Sequence, residues 1–158
     1  AEVKHNTPYG FSKRIISQLM ENNPKNISVR IYSVFDENEL DQRFIKSSIQ
    51  NYINKKDIVI HQNKKMDLFY MKDLISLVEW YINLNGGEYN RDFINCGYLE
   101  KYTLFQVANL INNLDEHKVV IRIEDDLDGE DYCEAYSALP FKLVGLEEGI
   151  KETYNKLK

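Results

Sequence analysis

The sequence predicts an α/β fold with parallel strand pairing, and three observations lead there. Short β-branched runs alternate with one-sided helical stripes along the chain. That alternation is the pattern of strands joined through helices, which pairs strands in parallel. The 158 residues are 43% hydrophobic and 28% charged, a globular balance in a length that suits one domain with a real core.

The elements read as follows. Ser12 to Asn22 carries Ile15, Ile16, Leu19 and Met20 on a helical stripe, which Pro24 and Asn26 break. Ile27 to Phe35 reads as one buried strand (Ile27, Val29, Ile31, Val34, Phe35). Phe44, Ile45, Ile49, Tyr52 and Ile53 fit a second helix, and Ile58 to Ile60 a short strand. Leu68 to Met71 reads as a strand running into a helix with Leu74, Ile75, Val78, Tyr81 and Ile82, which Asn85-Gly86-Gly87 ends. Asp92 to Cys96 is strand-like. Thr103 is placed to cap a helix bearing Leu104, Val107, Ala108, Ile111 and Leu114. Val119 to Ile123 reads as a strand, Glu124 to Asp131 as an acidic loop, and Leu146 to Leu157 as the last helix.

Charge and composition exclude several functions. The net charge is −5, from 20 basic and 25 acidic residues. A general nucleic-acid binder needs a basic face to displace counterions from phosphates, so no nucleic-acid partner is expected. No apolar run approaches the roughly 20 residues of a membrane helix, and no signal peptide is evident. Cys96 and Cys133 are too few for a disulfide framework. A cytoplasmic location without membrane association is expected.

The most informative segment is Pro8-Tyr9-Gly10-Phe11-Ser12-Lys13. Tyr9 and Lys13 stand four apart, so on a helix they share a face. An ammonium beside a phenol favours the phenolate, and such a tyrosine can exchange a proton with a hydroxyl or carbonyl. A bare Tyr-x-x-x-Lys spacing is equally what an exposed helix start carries.

Further segments, in order along the chain, add weight. They are Arg30-Ile31-Tyr32-Ser33, Phe44-Ile45, Asp67-Leu68-Phe69-Tyr70-Met71-Lys72-Asp73-Leu74, Phe93-Ile94-Asn95-Cys96-Gly97, and Gly145 to Tyr154. With Pro8 to Lys13, they resemble the C-terminal half of the extended short-chain dehydrogenases/reductases, the NAD-dependent nucleotide-sugar epimerase/dehydratase family. The closing helix also resembles that of GDP-fucose synthases. The resemblance implies the C-terminal part of a Rossmann-like parallel sheet plus a small α/β substrate-binding lobe. Residues 1–158 would be one catalytic-helix and substrate-binding segment, with the N-terminal dinucleotide-binding half absent.

The resemblance also implies roles. Tyr9 would be the acid/base of hydride transfer at a sugar carbon. Lys13 would hold the nicotinamide ribose and stabilise the tyrosinate, and Tyr32 would lie beside the cofactor. Ser33, Arg43, Lys46 and Lys65 would face the nucleotide-linked sugar. The parent enzyme would bind NAD or NADP, this chain alone would bind neither, and a homodimer would form through the Tyr-x-x-x-Lys helix. Ile15, Ile16, Leu19 and Met20 suit that interface, or could face the sheet.

The chain departs from the family's pattern at several points. The glycine-rich pyrophosphate turn and the upstream serine or threonine are missing. Met66 stands where the family has a diphosphate-binding arginine; Lys64, Lys65, Arg43 or Lys46 could supply a cation, or Lys64-Lys65 could be a solvated turn. Ser33 replaces an asparagine near the sugar. Arg43 stands where GDP-fucose synthases carry an epimerising histidine, which favours simple oxidation or reduction of a sugar carbon. The rival reading is a non-catalytic, truncated or degenerate relative kept for sugar-nucleotide binding or dimerisation. A blander one is an unrelated α/β domain with coincidental matches.

Other candidates are weaker. Glu124, Asp126, Asp128 and Gly129 imitate the start of an EF-hand loop, but position twelve is Ala135 and a strand precedes it. His5, His61 and His117 lack metal-ligand spacing, so no metal is expected. Cys96 fits a small core hydrophobe, and Trp80 a core or interface residue.

Overall fold

A computed structural model describes residues 7–21, 26–84, 93–125 and 129–158. Among them are five helices and six strands. The helices are α1 (Pro8–Glu21), α2 (Phe44–Ile53), α3 (Met71–Asn83), α4 (Leu104–Asn112) and α5 (Leu146–Leu157). The strands are β1 (Ser28–Ile31), β2 (Val34–Phe35), β3 (Ile58–Gln62), β4 (Phe69–Tyr70), β5 (Phe93–Cys96) and β6 (Ile121–Asp125). They pair in parallel as β1 with β5, β2 with β4 and β3 with β6. The expected mixed α/β class with parallel strands is what the chain adopts.

The expected single strand from Ile27 to Phe35 is two. The chain changes partner at Tyr32-Ser33, leaving β5 for β4, and the Ser33 carbonyl accepts from the Phe69 amide at 2.8 Å. The strand expected at Val119 to Ile123 is shifted forward, so Glu124 belongs to β6 and not to a loop. There Glu124 meets His61 of β3, and Gln62 donates to Asp125. Asn22, Pro24, Asn85-Gly86-Gly87, Asp92, Asp126, Asp128 and His5 lie outside the described residues.

Two cores meet at β4. Tyr70 and Leu68 pack into the larger one with Phe35, Ile45, Ile49, Tyr52, Ile60, Val107 and Ile150. Phe69, between them in sequence, points the other way into a smaller core with Leu77, Ile94 and Cys96, as strand alternation requires. Trp80 flanks that smaller core, with its ring 6.0 Å from Phe141. Cys96 is buried, which pushes its thiol up to about 12. No described helix is long and apolar enough to cross a membrane.

Candidate functional site

The Tyr9–Lys13 pair begins at a helix start. Thr7 caps α1, its hydroxyl accepting from the Gly10 amide at 3.1 Å. One turn on, the Lys13 ammonium stands 5.3 Å from the Tyr9 ring centroid. Tyr9 is 71% exposed, so its phenol is open to a ligand or a partner. Ile15, Ile16 and Leu19 of the same helix are exposed as well, so they do not bury against the sheet among the described residues.

Tyr32 and Ser33 occupy the point where the chain leaves β1 for β2. That is the carboxyl end of a parallel strand, where open α/β sheets take their ligands. Burial, then the Glu134 carboxylate, pushes the Tyr32 phenol up to about 12. Its ring meets Tyr132 edge-on, with centroids 5.3 Å apart. The Tyr132 amide donates to the Lys65 carbonyl at 2.8 Å, so the structure links Tyr32 to Lys65 through Tyr132.

Arg43 and Lys46 belong to the start of α2. Arg43 is the exposed N-cap residue, and its side chain makes no cap hydrogen bond. The Lys46 ammonium is engaged: it donates to the Glu39 carbonyl at 2.8 Å and pairs with Asp41 at 2.9 Å. Glu39 in turn accepts from the Lys46 amide at 3.0 Å. Burial wins over these favourable contacts and pushes the Glu39 carboxyl up to about 7.

One centre was not legible in the sequence. Asp67, only 3% exposed, pairs with the Lys101 ammonium at 2.5 Å and accepts from the Glu134 amide at 2.9 Å. A side chain at Gly97 would strike that carboxylate, since a Cβ there falls 2.7 Å from it. Lys101 thus brings a cation beside Met66, the position that lacks the expected arginine, but the charge is committed to Asp67. The available signal was the acidic residue opening the Asp67 to Leu74 stretch; its partner stands 34 residues away.

The two described histidines each have a protein partner. His61 pairs with Glu124, and His117 stacks on Tyr52 at 4.1 Å. No group of three or more His, Cys, Asp or Glu side chains suited to a metal occurs among the described residues.

No protein-family model and no curated protein matches the sequence. Solved structures match in fold. An NAD-dependent NDP-hexosamine 5,6-dehydratase of tunicamycin biosynthesis is 15% identical at a TM-score of 0.65, covering 95% of this chain and 53% of its own. The Bacillus cereus UDP-glucuronic acid 4-epimerase, in complex with UDP-glucuronic acid and NAD, is 14% identical at 0.71, covering 94% and 52%. The Thermotoga maritima UDP-glucose 4-epimerase with UDP-glucose is 16% identical at 0.70, covering 95% and 53%. The chain therefore has the fold of these Rossmann-like enzymes and spans about half the length of each.

Proposed function

We propose that this chain is the catalytic-helix and substrate-binding portion of an NAD(P)-dependent enzyme that oxidises or reduces a nucleotide-linked sugar, the dinucleotide-binding half lying outside residues 1–158. The observation that carries the proposal is the Lys13 ammonium at 5.3 Å from the exposed Tyr9 ring, on the first helix of a chain with this fold.

In this reading Tyr9 exchanges a proton with a sugar hydroxyl or ketone. Lys13 holds the ribose of the cofactor and favours the tyrosinate, and Tyr32 borders the cofactor's nicotinamide end. The residues fit a nicotinamide nucleotide on that side: an exposed phenol and ammonium share one helix face. When bound, the nicotinamide supplies or accepts the hydride. Ser33 and Lys65 face the sugar nucleotide. Arg43 offers an exposed guanidinium at the start of α2, whereas Lys46 acts by holding the loop before that helix.

The partner is a second copy of the chain, met through α1. Phe11, Ile15 and Leu19 form an exposed row there, and Ile75, Val78 and Ile82 form another on α3.

The decisive experiment is Tyr9→Phe in the protein carrying its dinucleotide-binding portion. Turnover should fall by orders of magnitude while cofactor affinity changes less than about twofold. Unchanged turnover removes Tyr9 from its role and favours the non-catalytic relative.

A further inference from the structure

The large aromatic side chains Phe35, Tyr52, Phe69 and Tyr70 are fully buried. Tyr132 is not: it is 48% exposed, yet both its backbone amide and its carbonyl are hydrogen-bonded. Its amide donates to the Lys65 carbonyl at 2.8 Å, and its carbonyl accepts from the Asp67 amide at 3.0 Å. On one side, the Asp131 carboxylate accepts from the Lys65 amide at 2.8 Å. On the other, the Glu134 amide reaches the buried Asp67 carboxylate, which Lys101 neutralises. A ring presented on so fixed a backbone binds with little ordering cost.

The place lies at the carboxyl end of a parallel strand, where open α/β sheets take their ligands. Tyr132 stands edge-on to Tyr32, with the ring planes at 76°, and Tyr32 follows directly on the carboxyl end of β1. The Tyr32 hydroxyl, like any phenol near neutral pH, carries its proton, and burial pushes its ionisation further up, to about 12. The two side chains thus combine a half-exposed aromatic ring with a hydroxyl that can donate. A pyranose ring, with C–H groups on one face and hydroxyls around its rim, complements that pair.

We propose that Tyr132, braced by Tyr32, is the stacking residue for the hexose ring of the nucleotide-linked sugar. The inference rests on the nucleotide-sugar reading above and adds to it which residue meets the sugar.

The test separates the sugar from the nucleotide. UDP-glucose and UDP are titrated by calorimetry into the 158-residue chain, as wild type, Tyr132→Ala and Tyr132→Phe. The wild type should bind UDP-glucose more tightly than UDP. Tyr132→Ala should lose about tenfold for UDP-glucose while UDP affinity holds within about twofold, and Tyr132→Phe should keep the ratio. A ratio unchanged in Tyr132→Ala, equal weakening of both ligands, or a wild type without preference overturns the proposal and leaves the nucleotide-sugar reading standing. A wild type that binds neither ligand overturns both.

Discussion

A buried carboxylate is costly unless it is paired and hydrogen-bonded. Asp67 meets that requirement with one ammonium and one amide, drawn from two segments that follow β5 and β6. Removing one partner leaves the other charge unpaired, so Lys101→Met should destabilise the fold by about 3 kcal/mol. Chemical denaturation of the two proteins reads this directly, and a loss below about 1 kcal/mol would contradict it.

Glu39 carries the opposite logic. Its folded-state ionisation, about 7, lies above the ordinary 4.5 because burial disfavours the charge. The folded protein therefore holds this proton at pH values where the unfolded chain has released it. The stability it contributes is fully present below about 4.5, falls as pH rises and is lost above about 7. Glu39→Gln keeps an acceptor for the Lys46 amide and removes the titration. Its stability should change less between pH 5 and 8 than that of the wild type, and the variant should be the more stable of the two at pH 8. Parallel pH profiles would show that Glu39 does not titrate in this window.

At the scale of elements, α2, α4 and α5 were legible because each buries a stripe, whereas the apolar row of α1 is exposed. α5 spans Leu146–Leu157, the same range that the periodicity predicts, and it buries Leu146, Ile150, Thr153 and Tyr154. Thr103 caps α4 as expected: its hydroxyl accepts from the Gln106 amide at 3.2 Å, and Gln106 returns a bond to the Thr103 amide at 2.8 Å. Strands were less legible. The alternation Ile27, Val29, Ile31 breaks at Ser33 and resumes at Val34, and this short phase break is the local mark of the change of partner from β5 to β4 that a reading of one continuous strand passes over. Tyr132 lies in a segment without periodicity, and only long-range backbone bonds make it a fixed point.

Gly149 gives a test of packing at this scale. Alanine in place of an exposed helical glycine usually gains close to 1 kcal/mol. Here the added Cβ would stand 2.7 Å from Tyr70 Cγ and 3.0 Å from its Cβ, atoms held near the β4 backbone. Gly149→Ala should therefore destabilise by about 1–3 kcal/mol despite its helix propensity. A rise in melting temperature would mean that β4 and α5 can move apart without cost.

For the whole molecule, the fold divides into two cores that share β4; the smaller one leaves α3 half-covered, and no described residue of α1 packs into either. On α3, Leu77 is buried and Leu74 packs against the core, while Ile75, Val78 and Ile82 repeat at i, i+3 and i+7 on an exposed side. On α1, Phe11, Ile15 and Leu19 repeat every fourth residue, also exposed. Tyr9 and Lys13 project from a different side of α1, with a mean direction roughly 140° around the helix from that row at 3.6 residues per turn. An interface formed by the Phe11–Leu19 row would therefore leave the Tyr9–Lys13 pair accessible to ligand. Large contiguous apolar patches are uncommon on monomers, and exposed apolar rows on two helices suit docking of a second copy. Sedimentation equilibrium should give a dimer for the wild type at micromolar concentration. Leu19→Glu combined with Ile82→Glu should give a monomer with an unchanged far-ultraviolet circular dichroism spectrum, because both side chains are about 70% exposed in the protomer. A monomeric wild type, or a double variant that still dimerises, would move the interface away from α1 and α3.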